Sequence, residues 1–316
     1  MLPSPLQPIK LSIFQRYGVE VFIKRDDLIH PIISGNKWRK LKGNIAAAQK
    51  LDKQGILSFG GAYSNHIHAL AYACKQNNMK SIGIVRGEAQ YQNNYTLTWA
   101  RHWGMQVEFV DRKTYKCRHN EEYLYQLQQQ YPEYYIVPEG GTNHTALSGV
   151  GEVITELNQQ IDFDTVILPV GSAGTISGLI KADNAQHHIL GVAVLKQAEY
   201  LNSVIEELAH VSQDGSWTLL TDYHRGGYAK FSEHDCAKLA QFSTQTGIPV
   251  EPVYSGKMVL ALLELLEQGY FPSGHRIVLI HTGGLQGLGG QIERKLLPEE
   301  FIRVIQSHLP SAPQAL

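Results

Sequence analysis

Lys37 stands in the run Ser34-Gly35-Asn36-Lys37-Trp38-Arg39-Lys40-Leu41, just ahead of an expected helix. A second polar loop, Gly60-Gly61-Ala62-Tyr63-Ser64-Asn65-His66, follows after one more strand. A lysine amine beside a glycine turn is how a protein holds an aldehyde cofactor as a Schiff base. Ser64, Asn65 and His66 would then offer hydrogen bonds around the cofactor's ring. A third loop, Gly171-Ser172-Ala173-Gly174-Thr175, has small residues whose amides could wrap a phosphate, with the Ser172 and Thr175 hydroxyls as further donors. Together these loops predict a pyridoxal phosphate enzyme.

Each loop also has a plainer reading. Residues 171–175 could be an ordinary strand-to-helix turn, and Ser64 or Asn65 could simply cap a helix. Tyr254 in Glu251-Pro252-Val253-Tyr254-Ser255-Gly256-Lys257, and Tyr228 in Gly226-Gly227-Tyr228, could pack structurally or serve as acid/base groups. The basic cluster of Lys37, Arg39, Lys40 and Lys42 reads mostly as a solvated helix face. His66 and His68 are two apart, so they face different ways on a helix and do not make a metal pair; no metal is expected. Neither the Gly-x-Gly-x-x-Gly fingerprint nor the phosphate-binding Gly-x-x-x-x-Gly-Lys-Ser/Thr loop occurs, which counts against a nicotinamide dehydrogenase.

The elements that must position these residues alternate. Strands are expected at 19–24, 56–59, 81–85, 107–110, 134–137, 165–170, 190–194 and 277–281. Helices are expected at 38–51, 69–74, 97–103, 150–157, 201–209 and 258–268, with a polar helix end at 126–130. This order implies an α/β fold with mostly parallel sheets covered by helices. Several strands end in glycine-rich loops, and in such sheets ligands sit beyond the strands' carboxyl ends.

The 316 residues, 43% hydrophobic and 18% charged, suit a globular protein with a large core. A net charge of -1 gives no basic surface for nucleic acid. Three scattered cysteines form no metal or disulfide pattern, and no apolar run is long enough for a membrane span. The expectation is a cytosolic protein.

Read in order, Lys24-Arg25-Asp26-Asp27-Leu28, the run through Lys37 and the Gly60-to-Asn65 loop resemble the 1-aminocyclopropane-1-carboxylate (ACC) deaminase and D-cysteine desulfhydrase family. These are pyridoxal phosphate enzymes of fold type II, built like the tryptophan synthase β subunit. The resemblance continues through 171–175, Tyr228, 251–257 and 281–284. It implies Lys37 as the Schiff-base lysine and Lys40 as a phosphate contact. Asn65 would lie beside the cofactor's phenolic oxygen, and 171–175 would cradle its phosphate. Ser64, with Asn65 and His66, would face the substrate, while Tyr228 and Tyr254 would be the active-site tyrosines. A large cofactor-binding domain of residues 1–50 plus 151–316, a small α/β domain of 51–150 and a homodimer are also implied.

Ser255 and Thr282 set this chain apart from the ACC deaminase pattern, which carries glutamate and an apolar residue there. An uncharged hydroxyl near the ring nitrogen makes a weaker electron sink. That favours β-elimination from D-cysteine, giving sulfide, pyruvate and ammonia, over ACC deamination; D-serine dehydration or β-replacement on another amino acid would keep the cofactor and change the reaction. A pyridoxal phosphate carrier without catalysis is the remaining alternative.

Overall fold

The computed structural model describes residues 2–213 and 215–309. Ten strands form two sheets. In chain order they are β1 (Leu6–Ile9), β2 (Glu20–Lys24), β3 (Gly55–Gly61), β4 (Lys80–Arg86), β5 (Met105–Val110), β6 (Tyr134–Val137), β7 (Thr165–Val170), β8 (His188–Ala193), β9 (Trp217–Leu220) and β10 (Arg276–Ile280). The larger sheet has the order β1-β2-β10-β7-β8-β9, the smaller β5-β4-β3-β6. Only the β1–β2 pair is antiparallel. Strand β7 is buried along its whole length, as expected where helices cover both faces of a sheet.

The eight expected strands are present, and β1 and β9 are additional. Both additional strands are four residues long and lie at the sheet's two edges. Pro8 in β1 cannot donate to a ladder, which an edge position tolerates. Such short segments become strands only when a neighbour pairs with them.

Of the helices that begin earlier than expected, two carry residues of the glycine loops. The first spans Asn36–Lys50, so Lys37 lies inside its first turn rather than ahead of it. The second spans Asn65–Gln76, and Ser64 caps it by accepting from the His66 and Ile67 amides. The capping role is therefore real, and it leaves the Ser64 hydroxyl proton free to donate.

The basic cluster on the first helix is not a solvated face. Arg39 and Lys40 are buried, and of the cluster only Lys42 is exposed. The Arg39 guanidinium donates to both oxygens of Asp26, at 2.7 and 2.8 Å, and to Glu156 at 2.9 Å. Lys24 reaches the same Glu156 at 2.6 Å. Charges this deep persist only when partners satisfy them on all sides. The network ties the helix carrying Lys37 to β2 and to the helix His144–Gln160.

Candidate active site

The loops after the parallel strands converge on the start of helix Asn36–Lys50. From β10, the Thr282 carbonyl accepts the Asn36 amide at 3.2 Å. From β7, the Thr175 hydroxyl accepts the Asn36 side-chain amide at 2.9 Å. Gly35 has φ +67, and a Cβ there would fall 1.9 Å from the Thr282 carbonyl oxygen, so only glycine lets these segments touch. His281 is buried, accepts the Gly283 amide at 3.2 Å through Nδ1 and donates to the Pro249 carbonyl at 2.8 Å. That pins the 282–284 loop.

Lys37 is half-buried, and its Nζ donates to Asn36 Oδ1 at 3.1 Å. Removal from water brings its ammonium down to about 8. Lys40 Nζ reaches Thr142 Oγ1 at 3.1 Å, the Gly140 carbonyl at 3.4 Å and Ser172 Oγ at 3.5 Å. Burial first, then the nearby Lys37, push its ammonium well below the ordinary lysine value. Among the described residues neither amine has a carboxylate partner.

The 171–175 turn lies against Lys40. A Cβ on Gly174 would come 2.6 Å from Thr142 Oγ1 and 3.0 Å from Lys40 Nζ. Ala173 adopts φ 63, and no side chain caps the helix Gly174–Asp183 that follows. The Gly174 amide turns back to the Ser172 carbonyl at 2.8 Å, which leaves the Thr175 and Ile176 amides of the first turn as donors. Tyr254 packs over Gly171, its Cε1 3.2 Å from where a Cβ would sit. The Tyr254 hydroxyl donates to that of Tyr228 at 3.2 Å, with Tyr228 47% exposed. Burial raises the pKa of both hydroxyls, Tyr254 strongly so.

Asn65 approaches the 282–287 segment: its Oδ1 lies 3.0 Å from a Cβ built on Gly287, its Nδ2 3.3 Å from one on Gly284. His66 differs from expectation. Its imidazole is buried and bonded to Ser58 Oγ at 2.8 Å, while its Nδ1 has no partner. Burial, then Lys37 and Lys40, lower its pKa well below the usual value, so it stays neutral. The helical turn that exposes Ser64 and Asn65 carries the next side chain inward.

Ser255 is also fully buried, and its hydroxyl is committed to Glu251, donating to Oε1 at 3.1 Å and accepting the Glu251 amide at 3.0 Å. Thr282 is 7% exposed. Sequence reasoning missed Glu251, whose carboxylate also accepts the amides of Val253, Tyr254 and Ser255 at 2.7, 2.9 and 2.7 Å. Burial raises its pKa to about 7 against those bonds. Lys257 was missed too. It donates to the Val194 and Gly227 carbonyls at 3.1 and 2.7 Å and so holds the loop that presents Tyr228. The only sequence signal for either was a charge beside the tyrosine motif.

These groups fit pyridoxal phosphate. Two amines without a carboxylate, uncapped helix amides and the Ser172 and Thr175 hydroxyls suit a phosphate dianion and an aldehyde. Among the described residues no group of three or more His, Cys, Asp or Glu could hold a metal ion. No described helix is long and apolar enough to cross a membrane.

Comparison with known proteins agrees. Residues 2–283 match the family model described as "Pyridoxal-phosphate dependent enzyme". A Pyrococcus abyssi protein provisionally named as a 1-aminocyclopropane-1-carboxylate deaminase is 30% identical, the match covering 90% of each chain. The Klebsiella pneumoniae (strain 342) D-cysteine desulfhydrase is 28% identical over 90% of this chain and 93% of its own. A crystal structure of an ACC deaminase homologue superposes with a TM-score of 0.79 at 26% identity, covering 95% of this chain and 93% of that one. A serine racemase from Dictyostelium discoideum, with a TM-score of 0.63 at 19% identity over 89% of this chain and 92% of its own, shares the fold. The chain belongs to the pyridoxal-phosphate dependent enzymes, in the family of ACC deaminases and D-cysteine desulfhydrases.

Proposed function

We propose that this chain is a lyase acting on a small amino acid, with β-elimination from D-cysteine to sulfide, pyruvate and ammonia as its reaction. The observation that carries this reading is the place of Lys37 at the helix start where the Thr282 and Thr175 segments meet, with the buried Lys40 of the same helix reaching Ser172 of the 171–175 turn. When bound, the cofactor supplies an electron sink for a bond broken at the substrate's α-carbon. Lys37 would hold the cofactor's aldehyde through its Nζ, and the same amine, brought to about 8, is suited to take a substrate's α-proton near neutral pH. Lys40, Ser172, Ala173, Gly174 and Thr175, with Gly171 before them, hold the phosphate. Asn65, beside Gly284 and Gly287, would orient the ring, and Thr282 would border it.

The Ser64 hydroxyl, its lone pairs taken by two helix amides, donates to the substrate carboxylate. The hydrogen-bonded Tyr254 and Tyr228, with Tyr254 packed over Gly171, are the pair through which a proton can pass to the departing group. The unit of residues 1–50 and 151–316 carries the cofactor, and 51–150 covers it. We also infer a homodimer, which the family resemblance implies, working in the cytosol, as expected from the sequence.

ACC deamination is the second reading. Glu251 brings a buried carboxyl one hydrogen bond from Ser255, restoring negative charge that the Ser255 position lacks on its own. An amino-acid screen on the cofactor-loaded protein separates the two. It would measure sulfide, ammonia and keto acid from D-cysteine, L-cysteine, D-serine, L-serine and ACC. Sulfide from D-cysteine ahead of all other products is expected. Brisk ACC turnover with inert D-cysteine would reverse the order.

A further inference from the structure

Arg86 ends β4 beside the Ser64 loop, and nothing in the chemistry above uses it. In the parallel ladder it is the register partner of Gly61, the residue that ends β3 and whose carbonyl accepts the Ser64 amide. Its NH2 lies 3.8 Å from where a Cβ on Gly61 would sit. One strand spacing, about 4.8 Å, thus separates the Arg86 backbone from the segment that presents Ser64.

The guanidinium rests on an aromatic shelf, its Cζ 5.5 Å from the centre of the Tyr115 ring. Arg118 sits 4.9 Å from the centre of the same ring. The two arginines differ in one respect. Arg118 Nε donates to Glu139 Oε2 at 2.6 Å, and the Tyr115 hydroxyl takes Oε1 at 2.7 Å, so that carboxylate is fully engaged. Among the described residues Arg86 has no carboxylate within ion-pair distance. An exposed arginine stacked on Tyr115 at the end of β4, beside the strand end that leads into the Ser64 loop, is a fork held ready for an anion.

We propose that Arg86 is a specificity-determining residue that receives a second anionic group, carried on the β-substituent of the amino-acid substrate beyond its α-carboxylate. This rests on the placement of substrate between Ser64 and the two tyrosines. The chemical class is an amino acid whose side chain bears negative charge or leaves with it, which includes a departing thiolate. Uncharged side chains of the same length leave the guanidinium without a charged partner and bind more weakly.

The test uses the full-length, cofactor-loaded protein and follows the cofactor's visible absorption as ligand is added. Probes are aspartate against asparagine and glutamate against glutamine, in both enantiomers. In the unaltered protein the preferred acid binds about tenfold or more tightly than its amide, the difference between a charge-assisted and a neutral hydrogen bond. R86Q abolishes that preference and R86K keeps part of it, while cofactor content and thermal melting of R86Q stay unchanged. Equal binding of acid and amide, no binding of either, or a preference that survives in R86Q overturns the proposal. Loss of the lysine-bound cofactor spectrum from the unaltered protein would instead refute the active-site reading itself.

Discussion

Replacing Lys40 by methionine separates a phosphate contact from a structural lysine, because the two roles move stability and affinity in opposite directions. Without phosphate, the Lys40 ammonium is buried beside Lys37 with only neutral oxygens at 3.1 to 3.5 Å. Burial of an unpaired charge is unfavourable, so methionine of similar length leaves the cofactor-free protein as stable or more stable. With the phosphate bound, the same substitution removes one charge-assisted contact worth about 1.5–3 kcal/mol. Cofactor affinity should therefore fall roughly 10- to 150-fold. The assay is titration of the cofactor-free Lys40→Met protein with pyridoxal phosphate, read by visible absorption, alongside thermal melting with and without cofactor. Affinity within twofold of the unaltered protein, or a cofactor-free protein that melts much lower, would refute this assignment.

Three further outcomes follow from the same geometry. Gly174→Ala places a methyl 2.6 Å from Thr142 Oγ1 and 3.0 Å from Lys40 Nζ, so cofactor affinity should drop by an amount equivalent to about 1–3 kcal/mol, measured by the same titration. Asp26→Ala takes two hydrogen bonds from the buried Arg39 guanidinium, leaving it Glu156 and a more distant Glu152 at 3.8 Å, and should cost about 3–5 kcal/mol in chemical denaturation, with no direct change to any atom at the site. The Lys37 ammonium is held at about 8 against an ordinary 10.5, so the unfolded chain binds more protons than the folded one between those values. Melting of the cofactor-free protein should gain a rising contribution from about pH 8 to 10, and this should vanish in Lys37→Met.

Much of the fold was legible because its signals are local. Strands such as Thr165–Val170 are unbroken β-branched and apolar runs, and glycine loops follow them. The edge strands Leu6–Ile9 and Trp217–Leu220 were not legible, since a four-residue strand exists only through its neighbour. The convergence of Lys37, Asn65 and 171–175 was readable from motif order. Burial of Arg39 and Lys40 was not, because their partners lie far off in sequence, at Glu156 and at Thr142 and Ser172. A basic run on a helix reads as solvated until its anions are located. The bonding of His66 to Ser58 and of Ser255 to Glu251 was equally hidden, since no motif names a buried side chain's partner.

Borohydride reduction of the cofactor-loaded protein, followed by peptide mapping of the pyridoxyl label, tests the central claim most directly. The account predicts a single labelled residue, Lys37, and no label in Lys37→Ala. Label on Lys40, Lys257 or any other lysine, or label that persists in Lys37→Ala, would contradict it.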